Sequence, residues 1–158
     1  VTIHAQILEL IAELQQRFDL SVILITHDLG VVAQVCHRVA VMYAGRIAET
    51  GDAPELFARP GHPYTQGLLR ATPRHDEVAE RMIAIDGAPP DLVAPPPGCG
   101  FQSRCPVYGI ECDRPAAPMA YGDGRTLACW HAFEPAWPSS PPGCADAIHA
   151  LDASVPGL

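Results

Sequence analysis

The stretch Ser21–Gly51, SVILITHDLGVVAQVCHRVAVMYAGRIAETG, decides the fold class. It opens on Ser21-Val22-Ile23-Leu24-Ile25-Thr26, an apolar, β-branched run without alternation. Such a run suits a strand buried on both faces, as in a parallel sheet covered by helices. His27-Asp28 closes it, and Asp28 is placed to N-cap a helix reaching about Cys36. Arg38–Tyr43 reads as a second strand, Ala44-Gly45 as a turn, and Arg46–Thr50 as the hairpin partner. Strand, helix and hairpin in this order predict an α/β fold.

On the amino-terminal side, Ile3, Ile7, Leu10, Ile11, Leu14 and Phe18 recur at helical spacing, opposite Glu9, Glu13, Gln16 and Arg17. This predicts an amphipathic helix over 2–18, with Asp19 as its stop. On the other side, Asp52 with Glu55 three residues later predicts a capped short helix that ends at Pro60. Pro63 then occupies the first turn of a helix over about Tyr64–Ala71.

Near residue 88 the composition changes. Residues 1–88 hold four of the 17 prolines and one of the six cysteines; residues 89–158 hold the rest. The first part has periodic apolar elements. The second lacks them and needs a staple to fold. The expected organisation is therefore 1–88 as an α/β portion, 89–135 as a small Cys-rich irregular module, and 136–158 as a flexible tail. Within the tail, a weak helix over 145–153 is expected.

The chain carries ten basic residues, all Arg, against 18 acids, a formal charge of −8. Nucleic acid is therefore excluded as a partner, because phosphate neutralisation needs clustered positive charge. No run of about 18 apolar residues exists, so no membrane-spanning helix is expected. With no secretory signal, the cysteines are expected in a reducing compartment, where clusters bind metal more often than they form disulfides.

Cys99, Cys105, Cys112 and Cys129 are separated by five, six and sixteen residues. Four thiolates from one Pro/Gly-rich segment suit a tetrahedral zinc or an iron–sulfur cluster. No C-x-x-C pair of the kind zinc sites favour occurs, and Cys105-Pro106 echoes the Cys-Pro step of cluster-binding loops. Disulfides and merely packed thiols remain as alternatives. Phe101, Tyr108, Trp130 and Phe133 are candidates to shield such a site, and His131 is a reserve ligand. Cys36 reads as a buried apolar residue and Cys144 as a bystander. His4, His37 and His62 read as surface or capping residues.

Over residues 1–70 the text closely resembles ATP-binding-cassette (ABC) ATPases. His27, within Ile25-Thr26-His27-Asp28, matches the family's switch histidine, and Arg38–Ile47 match its following hairpin. Pro60–Leu69, Ile85-x-Gly87-x-Pro89-Pro90 and Gly98-Cys99-x-Phe101-x-x-Arg104-Cys105-Pro106 resemble the oligopeptide/dipeptide (peptide/nickel) importer branch and its carboxyl-terminal extension. The resemblance implies the carboxyl-terminal portion of a P-loop ATPase core. It implies ATP with Mg²⁺ as the parent's nucleotide, and His27 as the catalytic contact that reaches the γ-phosphate and steadies the attacking water. It implies a [4Fe-4S] cluster on Cys99, Cys105, Cys112 and Cys129, with zinc as the alternative. The implied partners are a second ATPase subunit, two transmembrane permeases and, through them, an extracytoplasmic peptide-binding protein. The implied location is the cytoplasmic face of the cell membrane.

The resemblance also marks what is missing. With no Lys there is no G-x-x-x-x-G-K-[ST] loop, and the signature and Walker B sequences are missing too. Val1-Thr2 aligns just after the family's D-loop, so a carboxyl-terminal fragment is expected, inactive alone and poorly soluble through its exposed apolar surface. Two other readings stay open. One is a stand-alone metal-binding interaction module; the other is an ATPase subunit for nickel or another small solute.

Overall fold

A computed structural model describes residues 3–72, 84–121 and 124–133. The tail helix expected over 145–153, and Cys144, lie outside the described residues. The chain divides into two compact units, residues 1–36 and 37–158.

The first unit contains two helices. α1 spans Ile3–Phe18 and α2 spans Leu29–Val35. α1 follows the apolar periodicity. It ends where Asp19 takes a left-handed φ of 50° and the Leu20 N–H donates to the Gln15 carbonyl at 3.0 Å. Asp28 caps α2 as expected: its Oδ1 accepts from the Gly30 and Val31 amides at 2.9 and 3.2 Å. The expected strand over 21–26 is not formed. A strand is defined by its hydrogen-bonded neighbour, and no described segment pairs with these residues. Ile23 and Ile25 are 91% and 95% exposed, where burial on both faces was expected. The apolar stripe of α1 (Ile7, Leu10, Leu14, Phe18) is exposed as well.

The second unit is built on a four-stranded sheet. β1 (Arg38–Tyr43) and β2 (Arg46–Asp52) form the expected hairpin. Ala44 and Gly45 both have positive φ, 48° and 75°, the backbone of a type I′ turn whose twist suits a two-residue hairpin. The ladder shifts register between Val41 and Met42, leaving Ala48 as an extra residue on β2. This bulge allows the consecutive side chains of Ala48 and Glu49 both to be buried. It also frees the Ala48 carbonyl to accept from Ala128 at 2.9 Å.

Two further strands complete the sheet. β3 is Met119–Ala120 and β4 is Thr126–Leu127, and the order is β1-β2-β4-β3, antiparallel at every step. The described sheet is thus a small antiparallel one in a mixed α and β chain; its β1–β2 hairpin is the expected one, and the doubly covered parallel strand expected at 21–26 is not part of it. β4 comes from the cysteine-containing half and pairs with β2 from the first, so the change in composition near residue 88 runs through the inside of this unit.

α3 (Ala53–Ala58) and α4 (Pro63–Ala71) sit where Pro54, Pro60 and Pro63 place them. The capping box expected at Asp52 and Glu55 does not form. Asp52 makes no side-chain cap, and its Oδ1 lies 3.4 Å from Arg38 Nη1 across the ladder instead. Leu56, Phe57, Phe101 and Leu127 form the apolar core of the unit, with Glu49, His62, Thr65 and Arg125 buried among the polar residues. The described residues include no helix long and apolar enough to cross a membrane.

Candidate functional site

The centre of the second unit is held by polar side chains that bond loop backbone. Glu49, fully buried on β2, accepts from two successive amides, Gly61 at 2.8 Å and His62 at 3.0 Å. These amides precede α4. His62 itself caps α4, with Nδ1 accepting the Tyr64 N–H at 3.0 Å. Burial depresses the His62 pKa to about 4, so the ring is neutral near pH 7. The residue is a capping histidine, as expected, but it is 3% exposed and not a surface one.

Arg104 ties the Pro-rich connector to the hairpin. Its guanidinium donates to the carbonyls of Ile85 (2.7 Å) and Asp86 (3.0 Å) and to the Tyr43 hydroxyl (3.0 Å). Gly87 turns beside it at φ 85°. Arg125 is fully buried; it donates to the Arg59 carbonyl and lies over the Phe133 ring at 4.6 Å. Its stem packs on Gly51, where a Cβ would stand 2.5 Å from Arg125 Cγ. Sequence reasoning missed Glu49, Arg104 and Arg125, since a charged residue on a strand or loop reads as solvated surface. Only the Arg104-Cys105-Pro106 motif gave one of them a local signal.

Cys99, Cys105, Cys112 and Cys129 all line one pocket, together with His62 and His131. Each is a thiol rather than half of a disulfide. The loops carrying them are joined directly: the Cys99 N–H donates to the Cys112 carbonyl at 2.8 Å. Gly98 makes this approach possible, because a Cβ there would stand 2.0 Å from that same carbonyl oxygen. Gln102, its amide oriented by these acceptors, donates to both Cys99 and Cys112 carbonyls at 3.3 and 2.9 Å. Burial pushes the Cys129 thiol up to about 12; the His131 amide opposes the rise, and Cys99, Cys105 and Cys112 add to it. Burial likewise raises Cys99. Of the four aromatic residues proposed as a shield, Phe101 and Trp130 line the pocket, whereas Tyr108 and Phe133 do not.

Among the described residues, no three His, Cys, Asp or Glu side chains are grouped as one metal ion requires. A tetrahedral zinc site needs its ligands around a single point. The four irons of a cubane occupy separate corners, so its ligands stand wider apart. The four thiols share the lining of one pocket, without a grouping of three that would hold a single ion among the described residues.

His27 lies in the first unit, in the segment between α1 and α2, and its side chain is exposed. The adjoining turn is fixed by the Asp28 amide donating to Thr26 Oγ1 at 3.0 Å.

Residues 48–112 match the family described as oligopeptide/dipeptide transporter, C-terminal region. The dipeptide transport ATP-binding protein DppD of Bacillus subtilis (strain 168) is 56% identical over 132 residues, which are 82% of this chain and 39% of that protein. The oligopeptide transport ATP-binding protein OppD of Salmonella typhimurium (strain LT2) is 48% identical over 135 residues, 85% of this chain and 40% of that protein. DppD of Escherichia coli (strain K12) is 45% identical over 138 residues, 86% and 42%. The chain is similar to the carboxyl-terminal part of these peptide-transport ATP-binding proteins. It spans about two fifths of the length of the curated relatives it matches. Glu49, His62, Arg104 and three of the four pocket cysteines fall inside the matched region, while His27, Arg125 and Cys129 fall outside it.

Proposed function

We propose that this chain belongs to the subunit that couples ATP hydrolysis to import of short peptides across the cell membrane. The observation that carries the reading is the 56% identity, over most of this chain, to a dipeptide transport ATP-binding protein. In this reading the subunit lies on the cytoplasmic face of the membrane, binds ATP with Mg²⁺, and works beside a second ATP-binding subunit. Two transmembrane permeases and an extracytoplasmic peptide-binding protein complete the assembly.

His27 is proposed as the contact to the γ-phosphate. An exposed imidazole, held in a turn fixed by Thr26 and Asp28, is available to a nucleotide carried by other residues. Phosphoryl transfer is accelerated mainly by positioning and charge stabilisation, so this contact contributes about 3 kcal/mol, roughly a hundredfold in rate. The residues of this chain include no phosphate loop, so the purified chain is expected to leave ATP intact. The test is a chimera in which residues 1–133 replace the matching segment of the Bacillus subtilis relative. Peptide-dependent growth and ATPase activity, both reduced about a hundredfold by His27→Ala, are the expected result. A chimera whose ATPase is indifferent to His27→Ala overturns the assignment.

The four cysteines are proposed as ligands of a [4Fe-4S] cluster. Their common pocket, their thiol state and the Cys99–Cys112 backbone bond support this. When bound, the cluster supplies cross-linking of loops that have little apolar core of their own. The chain's residues would position it: Gly98 lets the two loops approach, Gln102 joins them, and Phe101 and Trp130, which line the pocket, would limit water. Iron and acid-labile sulfide near four per chain in oxygen-free preparations, lost in Cys105→Ser, is the expected result; zinc or no metal overturns it.

A further inference from the structure

We propose that Cys99 and Cys112 form a reversible disulfide when the chain, with no metal bound, meets a peroxide. The inference stands apart from the cluster reading above, because it concerns the metal-free chain and needs only a pair of thiols.

Three observations carry it. First, the two backbones already meet. The Cys99 N–H donates to the Cys112 carbonyl at 2.8 Å, and the Gln102 amide donates to both carbonyls. A hydrogen bond of this kind places two Cα atoms roughly 5 Å apart, as across an antiparallel ladder, within the span of about 4.4–6.8 Å that a disulfide bridges. Second, the side chains converge. Both thiols line one pocket. Burial raises the Cys99 thiol and a charge on Cys112 adds to the rise, so the two sulfurs lie within electrostatic reach. Third, the two differ in access. Cys99 is half-buried, whereas Cys112 is 5% exposed. An oxidant from solvent therefore reacts at Cys99, and Cys112 resolves the product.

The Cys99 thiolate attacks one oxygen of hydrogen peroxide and the O–O bond breaks. The second oxygen leaves with the electron pair and takes up the proton that Cys99 released, as water. Cys99 is then a sulfenic acid. The Cys112 sulfur attacks the Cys99 sulfur, the S–O bond breaks, and hydroxide leaves with the Cys112 proton as a second water. Two thiols lose two electrons, one peroxide gains them, and a dithiol reductant reverses the bond. The disulfide withdraws two thiols from the pocket and fastens the loops that carry them, so oxidant closes the pocket to metal and reductant reopens it.

The full 158-residue chain, freed of metal by a chelator under argon, would be treated with hydrogen peroxide and alkylated with N-ethylmaleimide. Cleavage after Arg104 and Glu111 puts Cys99, Cys105 and Cys112 on separate peptides for mass spectrometry. The expected result is four alkylated thiols per chain in place of six, a linked Cys99–Cys112 peptide, and recovery of all six with dithiothreitol. Cys105 lies between the two in sequence, so an unfolded chain favours links to it, and a Cys99–Cys112 link reports the folded approach. Cys105→Ser should retain the link. Cys112→Ser should stop at the Cys99 sulfenic acid, which dimedone traps. An unchanged thiol count, a link to Cys105 or Cys129 in place of this pair, or the same Cys99–Cys112 yield in concentrated urea overturns the inference. None of these outcomes bears on iron and sulfide uptake, which tests the cluster reading separately.

Discussion

Residues 1–36 and residues 37–133 reach order by different means. In the first unit the sequence is strongly periodic, yet Ile7, Leu10, Phe18, Ile23 and Ile25 remain exposed, and the bonds are local: an α-helix, an Asp19 stop and an Asp28 cap. In the second, apolar periodicity is weak, yet Glu49, Arg104 and Arg125 reach between segments distant in sequence and bond backbone there. Periodicity secures a helix without securing its burial. Burial of an irregular segment comes from the few polar groups whose hydrogen bonds are completed by loops.

The contrast is broken most directly at Glu49. Glu49→Ala leaves the buried Gly61 and His62 amides without an acceptor, and the expected loss is about 3–5 kcal/mol. Urea unfolding followed by tryptophan fluorescence reads it. An unchanged midpoint would mean that polar anchors do not hold the second unit.

Acid sharpens the comparison next. His62 has a folded-state pKa near 4 against an ordinary 6.5, so the unfolded chain binds the proton more readily. Its contribution to stability is complete above about pH 6.5, declines as pH falls, and is gone near pH 4, a loss of about 3 kcal/mol. Unfolding midpoints of the metal-free chain between pH 7 and 4 should show this slope, and His62→Asn should flatten it. A slope unaltered in the variant would place the acid sensitivity elsewhere.

A smaller effect is expected at the hairpin. Ala44 holds φ 48° beside Gly45, and Asn tolerates that region better. Ala44→Asn should stabilise the second unit by about 0.5 kcal/mol, read as a raised midpoint; a lowered one would argue against the I′ turn. The smallest change is expected in the first unit. Ile25→Asn, at a side chain that is 95% exposed, should shift stability by less than about 0.5 kcal/mol while reducing aggregation in light scattering. A large destabilisation would mean that this stretch is buried in solution.

These differences track what a linear text encodes. α1, α2, the β1–β2 hairpin, α3 and α4 were legible because period, caps, Pro and the Ala44-Gly45 turn act over a few residues. The strand over 21–26 was not, because a buried-looking run becomes a strand only through a neighbour. The β2–β4 pairing was equally hidden, since Thr126 carries no local mark that it belongs beside Thr50. At the candidate site, the four cysteines were legible as a set, because such residues in a Pro/Gly-rich stretch have few structural uses. His62 was legible as a cap but not as a wall of their pocket. Glu49 and Arg125 were invisible, because their value lies in carbonyls and amides supplied by other loops.

The pairing of β2 with β4 has a consequence for the route by which the chain folds. Thr50 and Thr126 meet at 2.7 Å across 76 positions of sequence, whereas β1 and β2 meet across two residues. The hairpin nucleates within microseconds, and β4 joins only after a long loop has closed. Closure entropy grows slowly with length, about 0.6 kcal/mol per doubling. At an exposed turn of the connector, such as Asp91–Val93, an insertion of many residues is therefore expected to leave the native sheet almost undisturbed and mainly to delay its completion.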